Sequence, residues 1–146
     1  MHVAALTGPS GSGKTTIIEE LIRRFVSAGR TVGAIKHTHH PLNAEDRGDT
    51  RRFREAGANP VVLAGDGEAI IFERHGPHPA LRATLSRKRE RELIAFGSPS
   101  ELLAHFATDI LLIEGFKSFA GWPRVEMTPD LTAEDVARIL DRIWRP

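Results

Sequence analysis

A glycine-rich segment near the start of the chain has the residue types and the spacing of a phosphate-binding loop. Residues 8–15 read Gly-Pro-Ser-Gly-Ser-Gly-Lys-Thr and match the Walker A, or P-loop, pattern G-x-x-x-x-G-K-T. Gly11 and Gly13 have no Cβ, so the backbone can turn tightly and direct successive N–H groups at one anion. Lys14 is expected to reach the terminal phosphates of a nucleotide, and the Thr15 hydroxyl is expected to bind Mg²⁺. The segment therefore predicts binding of a nucleoside di- or triphosphate.

Two carboxylates flank the most continuously apolar run of the chain, with Asp109 before it and Glu114 after it. This run predicts a central strand that is buried on both faces. Because ligands of a parallel α/β sheet bind beyond the carboxyl ends of its strands, only Glu114 is expected beside the P-loop. We therefore assign Glu114 to Mg²⁺, directly or through water. Asp109 is expected to start the strand and to pair with a neighbouring helix or turn.

A polar segment without helical or strand periodicity follows the second predicted strand, and residues 37–40 in it read His-Thr-His-His. Three interpretations fit these histidines: a transition-metal site, since imidazole suits zinc; contacts with phosphate or substrate beside Lys36; or an ordinary polar loop. Further along the segment, Asp46 and Asp49 could position a water molecule or close over the nucleotide. A solvated turn is the alternative for these two acids.

The hydrophobic pattern predicts the elements that hold these residues in place. Strands are predicted at 2–6, 31–36, 60–64, 69–72, 109–114 and 124–127, and helices at 13–28, 50–56, 98–107 and from 132 onward. The first strand–helix–strand unit implies parallel strands with a right-handed crossover. The Gly65-Asp66-Gly67 turn suits a hairpin with one antiparallel strand at the sheet edge. We predict an α/β fold of the P-loop NTPase type, with a mostly parallel sheet, flanking helices and an antiparallel edge hairpin. Residues 1–146 are expected to form a single nucleotide-binding domain.

Residues 74–97 are the hardest to interpret. The charge run 87–92 reads Arg-Lys-Arg-Glu-Arg-Glu and is typical of a solvated helix face with i,i+4 pairs, which we favour over a nucleic-acid patch. The stretch 82–91 is also rich in arginine. It could instead form the lid of a small-molecule kinase.

Composition excludes several classes of protein and site. The chain has 146 residues, 40% hydrophobic and 27% charged, with a formal net charge of +1, so no overall basic field indicates a nucleic-acid partner. The absence of cysteine excludes disulfides, thiolate metal sites and cysteine nucleophiles. No apolar run approaches the roughly 20 residues of a membrane helix, and the N-terminus enters a strand directly. A soluble cytoplasmic protein without a membrane partner is expected.

Three segments resemble the molybdopterin-guanine dinucleotide biosynthesis adaptor protein B family. They are residues 36–40, residues 48–58 and residues 109–117, in which the histidine run and the Glu-Gly-Phe-Lys turn are the specific features. The resemblance covers residues 3–66 and 108–127. It implies a small P-loop protein that binds GTP, forms a homodimer and has weak GTPase activity at most. Such a protein assists a partner guanylyltransferase that joins GMP to molybdopterin.

The resemblance and the P-loop motif together give a set of candidate site residues. Candidate catalytic residues are Lys14, Asp49 and Glu114, and candidate Mg²⁺ ligands are Thr15 and Glu114. Candidate nucleotide-binding residues are Gly8, Ser10, Gly11, Ser12, Gly13, Lys14, Thr15, Thr16, Lys36, His37 and Lys117. The resemblance implies GTP and Mg²⁺ as cofactors, and a cleft beside Lys36, His37, Asp49 and Lys117 for the nucleotide or the phosphate of molybdopterin. No N-K-x-D motif for reading guanine is present, so the preference for GTP follows from the resemblance.

Two other functions and a homodimer are also compatible with the sequence. A small-molecule P-loop kinase would transfer a phosphoryl group to an acceptor. A regulatory module that senses nucleotide without chemistry would bind a partner in a nucleotide-dependent way. A homodimer could form if the predicted edge strand 69–72 paired with a copy of itself.

Overall fold

The structure is a computed structural model that describes residues 1–45, 48–74 and 91–146. The strands in these residues are β1 (His2–Thr7), β2 (Val32–His37), β3 (Val61–Ala64), β4 (Glu68–Phe72), β5 (Arg91–Ala95), β6 (Ile110–Glu114) and β7 (Arg124–Glu126). The helices are α1 (Lys14–Ser27), α2 (Asp49–Ala56), a 3-10 helix (Pro99–His105) and α3 (Ala133–Trp144). Among the helices of these three ranges, none combines the length and the apolarity that crossing a bilayer requires.

The strands of the described residues form one seven-stranded sheet in the order β5-β4-β3-β2-β6-β1-β7. β3, β2, β6, β1 and β7 are parallel to one another, β4 is antiparallel to β3, and β5 is antiparallel to β4. This arrangement confirms the mostly parallel α/β sheet and the hairpin between β3 and β4. Glu114 at the end of β6 pairs in register with Leu6 of β1 and with Lys36 of β2. The residues that follow these three strands therefore lie at one end of the sheet.

Strand β6 is apolar over its first four residues because both faces of the sheet are covered. Ile110 and Leu112 pack into a core formed with α1, α2 and α3. Leu111 and Ile113, which point the opposite way, pack into a second core with residues of the 3-10 helix and of the loop 115–122. Alternate side chains of a strand point to opposite faces, so two buried faces require a continuous apolar run. The prediction of a fully buried central strand is confirmed.

Helices α1 and α3 follow from local sequence signals. α1 buries the stripe Ile17, Ile18, Leu21 and Ile22 on the sheet, with the helical spacing that the sequence predicts. α3 begins with a capping box, in which the Thr132 hydroxyl accepts from the Asp135 N–H at 3.1 Å. The Asp135 carboxylate in turn accepts from the Thr132 N–H at 3.0 Å.

The region after β4 departs from the predictions. Arg91 and Glu92 lie in strand β5 and not on a helix face, while 87–90 and most of the candidate lid 82–91 fall outside the described residues. β5 pairs with β4, so the 69–72 strand is not at the sheet edge and that basis for a dimer was wrong. The helical interpretation failed because Ile94 and Phe96, beyond the charge run, pack on the second core and favour a strand. Helix 98–107 is the shorter 3-10 helix, whose Leu102 is fully buried.

Candidate functional site

The P-loop connects β1 to α1 and folds around its own lysine. Gly13 has a φ of +83°, a left-handed conformation that suits glycine, and α1 begins at the next residue. The Lys14 Nζ donates to the carbonyl oxygens of Gly8 and Pro9, both at 2.8 Å. Burial lowers the pKa of Lys14, and the positive charges of Lys117 and Lys36 act in the same direction against the opposing charge of Glu114.

Four side chains from four different elements meet beside the P-loop. We call Thr15, Lys36, Asp49 and Glu114 the acid–lysine cluster. The Lys36 Nζ lies 2.7 Å from an Asp49 oxygen and 2.7 Å from a Glu114 oxygen. The Thr15 Oγ1 lies 3.1 Å from both carboxylate oxygens of Glu114 and 3.2 Å from Asp49. The Glu114 side chain is only 6% exposed, so its negative charge is stabilised by these partners and little by water.

The acid–lysine cluster has the donor set of a magnesium site. Burial alone would lower the pKa of Lys36, but its hydrogen bonds with Asp49 and Glu114 outweigh burial and hold the pKa above its ordinary value. The Lys36 ammonium thus serves as the cation between two carboxylates. One hydroxyl and two carboxylates are hard oxygen donors of the kind that Mg²⁺ prefers, so the residues fit the ion. Asp49 joins the predicted ligands Thr15 and Glu114 in this set.

Six of the thirteen predicted site residues line one cavity of about 950 Å³. Its walls include the predicted residues Ser10, Lys14, Lys36, His37, Glu114 and Lys117. Gly8, Gly11, Ser12 and Gly13 belong to the P-loop itself, and Ser12 is buried. Thr16 points elsewhere, since its hydroxyl accepts from the Arg52 guanidinium of α2 at 3.3 Å. Asp109 lies at the opposite end of the sheet, where its carboxylate accepts from the Thr31 N–H at 2.9 Å.

The cavity continues past the acid–lysine cluster into a part from which the sequence analysis assigned only His37 to the site. We call the residues His37, Asp66, Phe96, Phe116 and Phe119 the aromatic chamber, and all five line the cavity. They come from the end of β2, the β3–β4 turn, the end of β5 and the loop after β6. A Cβ on Gly115 would lie 2.6 Å from the Cβ of His37, so only glycine fits between β6 and the chamber.

The histidine segment contributes hydrogen bonds to this chamber. The Phe116 backbone N–H donates to the His37 Nδ1 at 3.3 Å, so in the neutral ring the proton lies on Nε2. That Nε2 faces an Asp66 oxygen at 3.1 Å and donates to it. The ligand atoms of His37, His39 and Asp66 lie within 4.8 Å of one another. A protonated Nε2 has no lone pair for a metal, so this hydrogen-bonding arrangement disfavours the metal-site interpretation and leaves the substrate-contact and polar-loop interpretations of the histidines.

The family follows from comparison with known proteins. Residues 3–141 match the sequence model of the molybdopterin guanine dinucleotide synthesis protein B family, MobB. The chain belongs to this family. The resemblance carried by residues 36–40 and 109–117 is thereby confirmed.

Individual MobB relatives differ in how much of their length this chain spans. A molybdopterin-guanine dinucleotide biosynthesis adapter protein of Haemophilus influenzae is 38% identical over 114 residues, which cover 77% of this chain and 55% of the relative. A probable adapter protein of the same name from Bacillus subtilis is 30% identical over 98% of this chain and 76% of its own length. The crystal structure of Bacillus subtilis MobB is 27% identical and covers 94% of this chain and 73% of that one, with a TM-score of 0.45. The chain thus spans about half of the Haemophilus relative.

Sequence reasoning found the site residues that lie at the strand ends of this chain but missed those in turns. Asp66 lies in a Gly-Asp-Gly turn, which the sequence marks only as a hairpin. Phe116 has a φ of +53°, unusual for a bulky residue, and no residue pattern reveals this. Phe96 follows β5, the strand that the charge run concealed.

Proposed function

We propose that this chain is a GTP- and Mg²⁺-binding adapter that assists the attachment of GMP to molybdopterin, which yields molybdopterin guanine dinucleotide. The pathway is suggested by the names of its MobB relatives. The observation that carries nucleotide binding is the convergence of the P-loop and the acid–lysine cluster at one end of the sheet. Residues 1–146 would act as one nucleotide-binding domain, because a continuous sheet joins β5 to β7.

Each part of the site has a role in this proposal. The backbone N–H groups of the P-loop and the N-terminus of α1 would bind the phosphates, and Lys14 would exchange the carbonyls of Gly8 and Pro9 for phosphate oxygens. Thr15, Asp49 and Glu114 would hold Mg²⁺, which would neutralise phosphate charge. Lys36 and Lys117 would remain to pair with further anionic groups of the ligands.

The site supports slow hydrolysis at most. Fast P-loop GTPases position the attacking water with a glutamine and stabilise the transition state with an arginine. The sequence contains no glutamine, and no arginine is among the described residues that line the cavity. An adapter that holds GTP for a partner guanylyltransferase, with molybdopterin as a further ligand, therefore fits better than an efficient hydrolase.

A homodimer is part of the proposal, with a different basis from the one that the sequence indicated. In the described residues β5 is the outermost strand on its side of the sheet, and its Leu93 is 65% exposed. An exposed strand edge can pair with another chain. Sedimentation with GTP and Mg²⁺ should show a dimer, and a monomer at high protein concentration would contradict it.

Equilibrium binding of GTP and ATP, with and without Mg²⁺, tests the proposal. GTP should bind more tightly than ATP, and Mg²⁺ should strengthen binding. Lys14→Ala should weaken GTP binding at least about a hundredfold, because it removes a charge-assisted phosphate contact. Arg138→Ala is the matched control, since Arg138 is 66% exposed on α3 and far along the chain from the P-loop. Equal or tighter binding of ATP would contradict the proposal and favour the small-molecule kinase.

A further inference from the structure

The aromatic chamber lies beyond the end of the proposed nucleotide site. Lys14, Thr15 and Glu114 mark where the terminal phosphates and Mg²⁺ would lie in a P-loop protein. The chamber extends from Lys36 and Glu114 toward the ends of β3, β4 and β5, on the side of β6 that faces away from β1. A nucleotide whose phosphate chain ends at the acid–lysine cluster leaves this chamber free for another molecule.

The walls of the chamber are suited to a flat ring. The Phe116 ring stacks on His37 at a centroid distance of 4.1 Å and an interplanar angle of 9°. The ring of Phe96 meets Phe116 edge-on at 6.3 Å. Phe96 and Phe119 are half-buried, so part of each ring remains open to the cavity. Aromatic walls of this kind bind planar heterocycles by stacking.

The backbone of this wall is strained. Phe116 has a φ of +53°, a left-handed conformation that is unfavourable for a residue with a Cβ. The surrounding contacts hold it there: its N–H bonds to His37, and its ring packs edge-on against Trp122 at 6.0 Å. Strain of this kind is concentrated at functional sites, so the conformation supports a binding role.

One carboxylate is oriented at the mouth of the chamber. Asp66 receives the His37 Nε2–H on one oxygen, yet its side chain is 78% exposed. The second oxygen lies 3.9 Å from the His39 Nδ1, beyond hydrogen-bond distance. A carboxylate can accept two parallel N–H bonds, as it does from arginine. A ring with adjacent ring N–H and amino groups, as in the aminopyrimidinone part of guanine or a pterin, presents the same pair of donors.

We propose that the aromatic chamber binds a second ligand beside the P-loop nucleotide: a planar aminopyrimidinone heterocycle of the pterin class, with an anionic substituent. Its ring would stack on Phe119 and Phe96, and its paired N–H donors would bond to Asp66. Its anionic group would face Lys36 and Lys117. The inference rests on the proposed function, because it takes the P-loop as the nucleotide site.

The test uses the full chain and the fluorescent pterin-6-carboxylate as the probe, with and without saturating GTP and Mg²⁺. Saturable binding that GTP does not displace is the expected result. Asp66→Asn should weaken the probe about tenfold, because it removes the charge from a hydrogen-bonded pair. Phe119→Ala should also weaken it about tenfold through lost stacking. Neither variant should change GTP binding.

Matched controls and an analogue complete the experiment. Asp141→Asn on α3, and Phe25→Ala, which removes a half-buried ring of the other core, should leave probe binding unchanged. The analogue 6-carboxylumazine has an oxygen in place of the amino group, so it should bind the wild-type chain more weakly and lose little more in Asp66→Asn.

Two results would overturn the inference: no saturable probe binding at millimolar concentration, or competitive displacement by GTP, which would place the guanine base in the chamber. Either result with intact GTP binding leaves the proposed function standing. Failure of the wild-type chain to bind GTP at all would instead contradict the proposed function.

Discussion

Lys36 supplies the positive charge that compensates the two carboxylates of the acid–lysine cluster. Its ammonium lies between Asp49 and Glu114, and the Glu114 side chain is almost fully buried. Removal of one partner from a buried charge pair leaves the other charge without compensation, which costs more than the pair itself contributes. Lys36 therefore stabilises the fold when no metal is bound, and its effect should change when Mg²⁺ is added.

Lys36→Met is expected to lower the free energy of unfolding by about 3 kcal/mol without Mg²⁺, since it leaves two carboxylates facing each other. Mg²⁺ should recover much of this loss. Because the native pKa of Lys36 lies above the ordinary 10.5, its contribution is full below pH 10.5 and disappears as the pH rises through the native value. Urea unfolding with and without Mg²⁺, repeated at a series of pH values, measures these changes in the free energy of unfolding. Lys117→Met is the control, and an equal loss in it would refute the role of Lys36.

The variant Asp49→Asn distinguishes the contribution of Mg²⁺ to GTP binding from the contribution of the P-loop. The substitution replaces the charged carboxylate of a proposed Mg²⁺ ligand with a neutral amide, so the Mg²⁺ concentration that supports tight GTP binding should rise about tenfold or more. GTP binding in the absence of Mg²⁺ should not weaken and should strengthen somewhat, because the P-loop is intact and the cluster loses its net negative charge. Titration of Mg²⁺ at fixed GTP measures this shift. Unchanged Mg²⁺ dependence would show that Asp49 is not a ligand.

At the scale of elements, α2 carries Asp49, and one acid of α1 makes an ion pair that links the two helices. The Glu19 carboxylate of α1 accepts from the Arg52 Nε of α2 at 2.7 Å and also pairs with Arg23 on its own helix. Burial would raise the pKa of Glu19, but the hydrogen bonds from Arg23 and Arg52 prevail and lower it. The position of Asp49 thus depends on a contact between two helices.

Glu19→Gln should weaken the contact between α2 and α1 and change how the free energy of unfolding depends on pH in the acidic range. Since the native pKa of Glu19 lies below the ordinary 4.5, its charge stabilises the fold above pH 4.5, and this contribution is lost as the pH falls through the native value. The difference in unfolding free energy between wild type and variant should therefore shrink in acid. Glu20→Gln, at the exposed neighbouring position of α1, is the matched control. A constant difference down to pH 2 would contradict the assignment.

Gly115 shows how a junction between elements limits the site. Its φ is +105°, and an added Cβ would lie 2.6 Å from His37. Gly29 has a similar φ of +82° with open space around it. Gly29→Ala should cost about 1 kcal/mol from backbone conformation alone. Gly115→Ala should cost more in thermal unfolding and should weaken Mg²⁺-dependent GTP binding, and equal costs in the two variants would argue against the clash.

On the scale of the whole molecule, the buried central strands of the sheet also carry the candidate site at their ends. The residues of β6 are buried, and the strand lies between β1 and β2, whereas β5 lies at the outside with Leu93 exposed. Amide exchange in buried central strands requires global unfolding, while edges open locally. Ligands that bind at the ends of β1, β2 and β6 should therefore stabilise the whole fold.

Hydrogen exchange is expected to be slowest in β6 and faster in β5. GTP with Mg²⁺ should slow exchange in β6, in the P-loop and in the first turn of α1, with little effect on β5. Mass spectrometry of peptic fragments measures the difference, and Lys14→Ala should abolish the nucleotide effect. Equal protection of β5 and β6 would contradict the proposed order of stability.

The sequence predicted those features that local pattern and strand direction determine. The P-loop, the buried strand β6 and the position of Glu114 follow from a motif, an apolar run and the parallel sheet. Lys36 and Asp49 were named, but their joint contact with Glu114 depends on how α2 docks, which no local pattern encodes. β5 was missed because a charge run suits a helix face as well as an exposed edge strand, and pairing with β4 decides between them.

The acid–lysine cluster also governs which ions can approach the P-loop. Two carboxylates and one ammonium leave the cluster with a single net negative charge, which repels a phosphate chain. A divalent cation held there would reverse the sign and make the same place attractive to anions. We therefore expect the cluster to favour binding of a triphosphate together with a divalent counter-ion over binding of the same triphosphate alone.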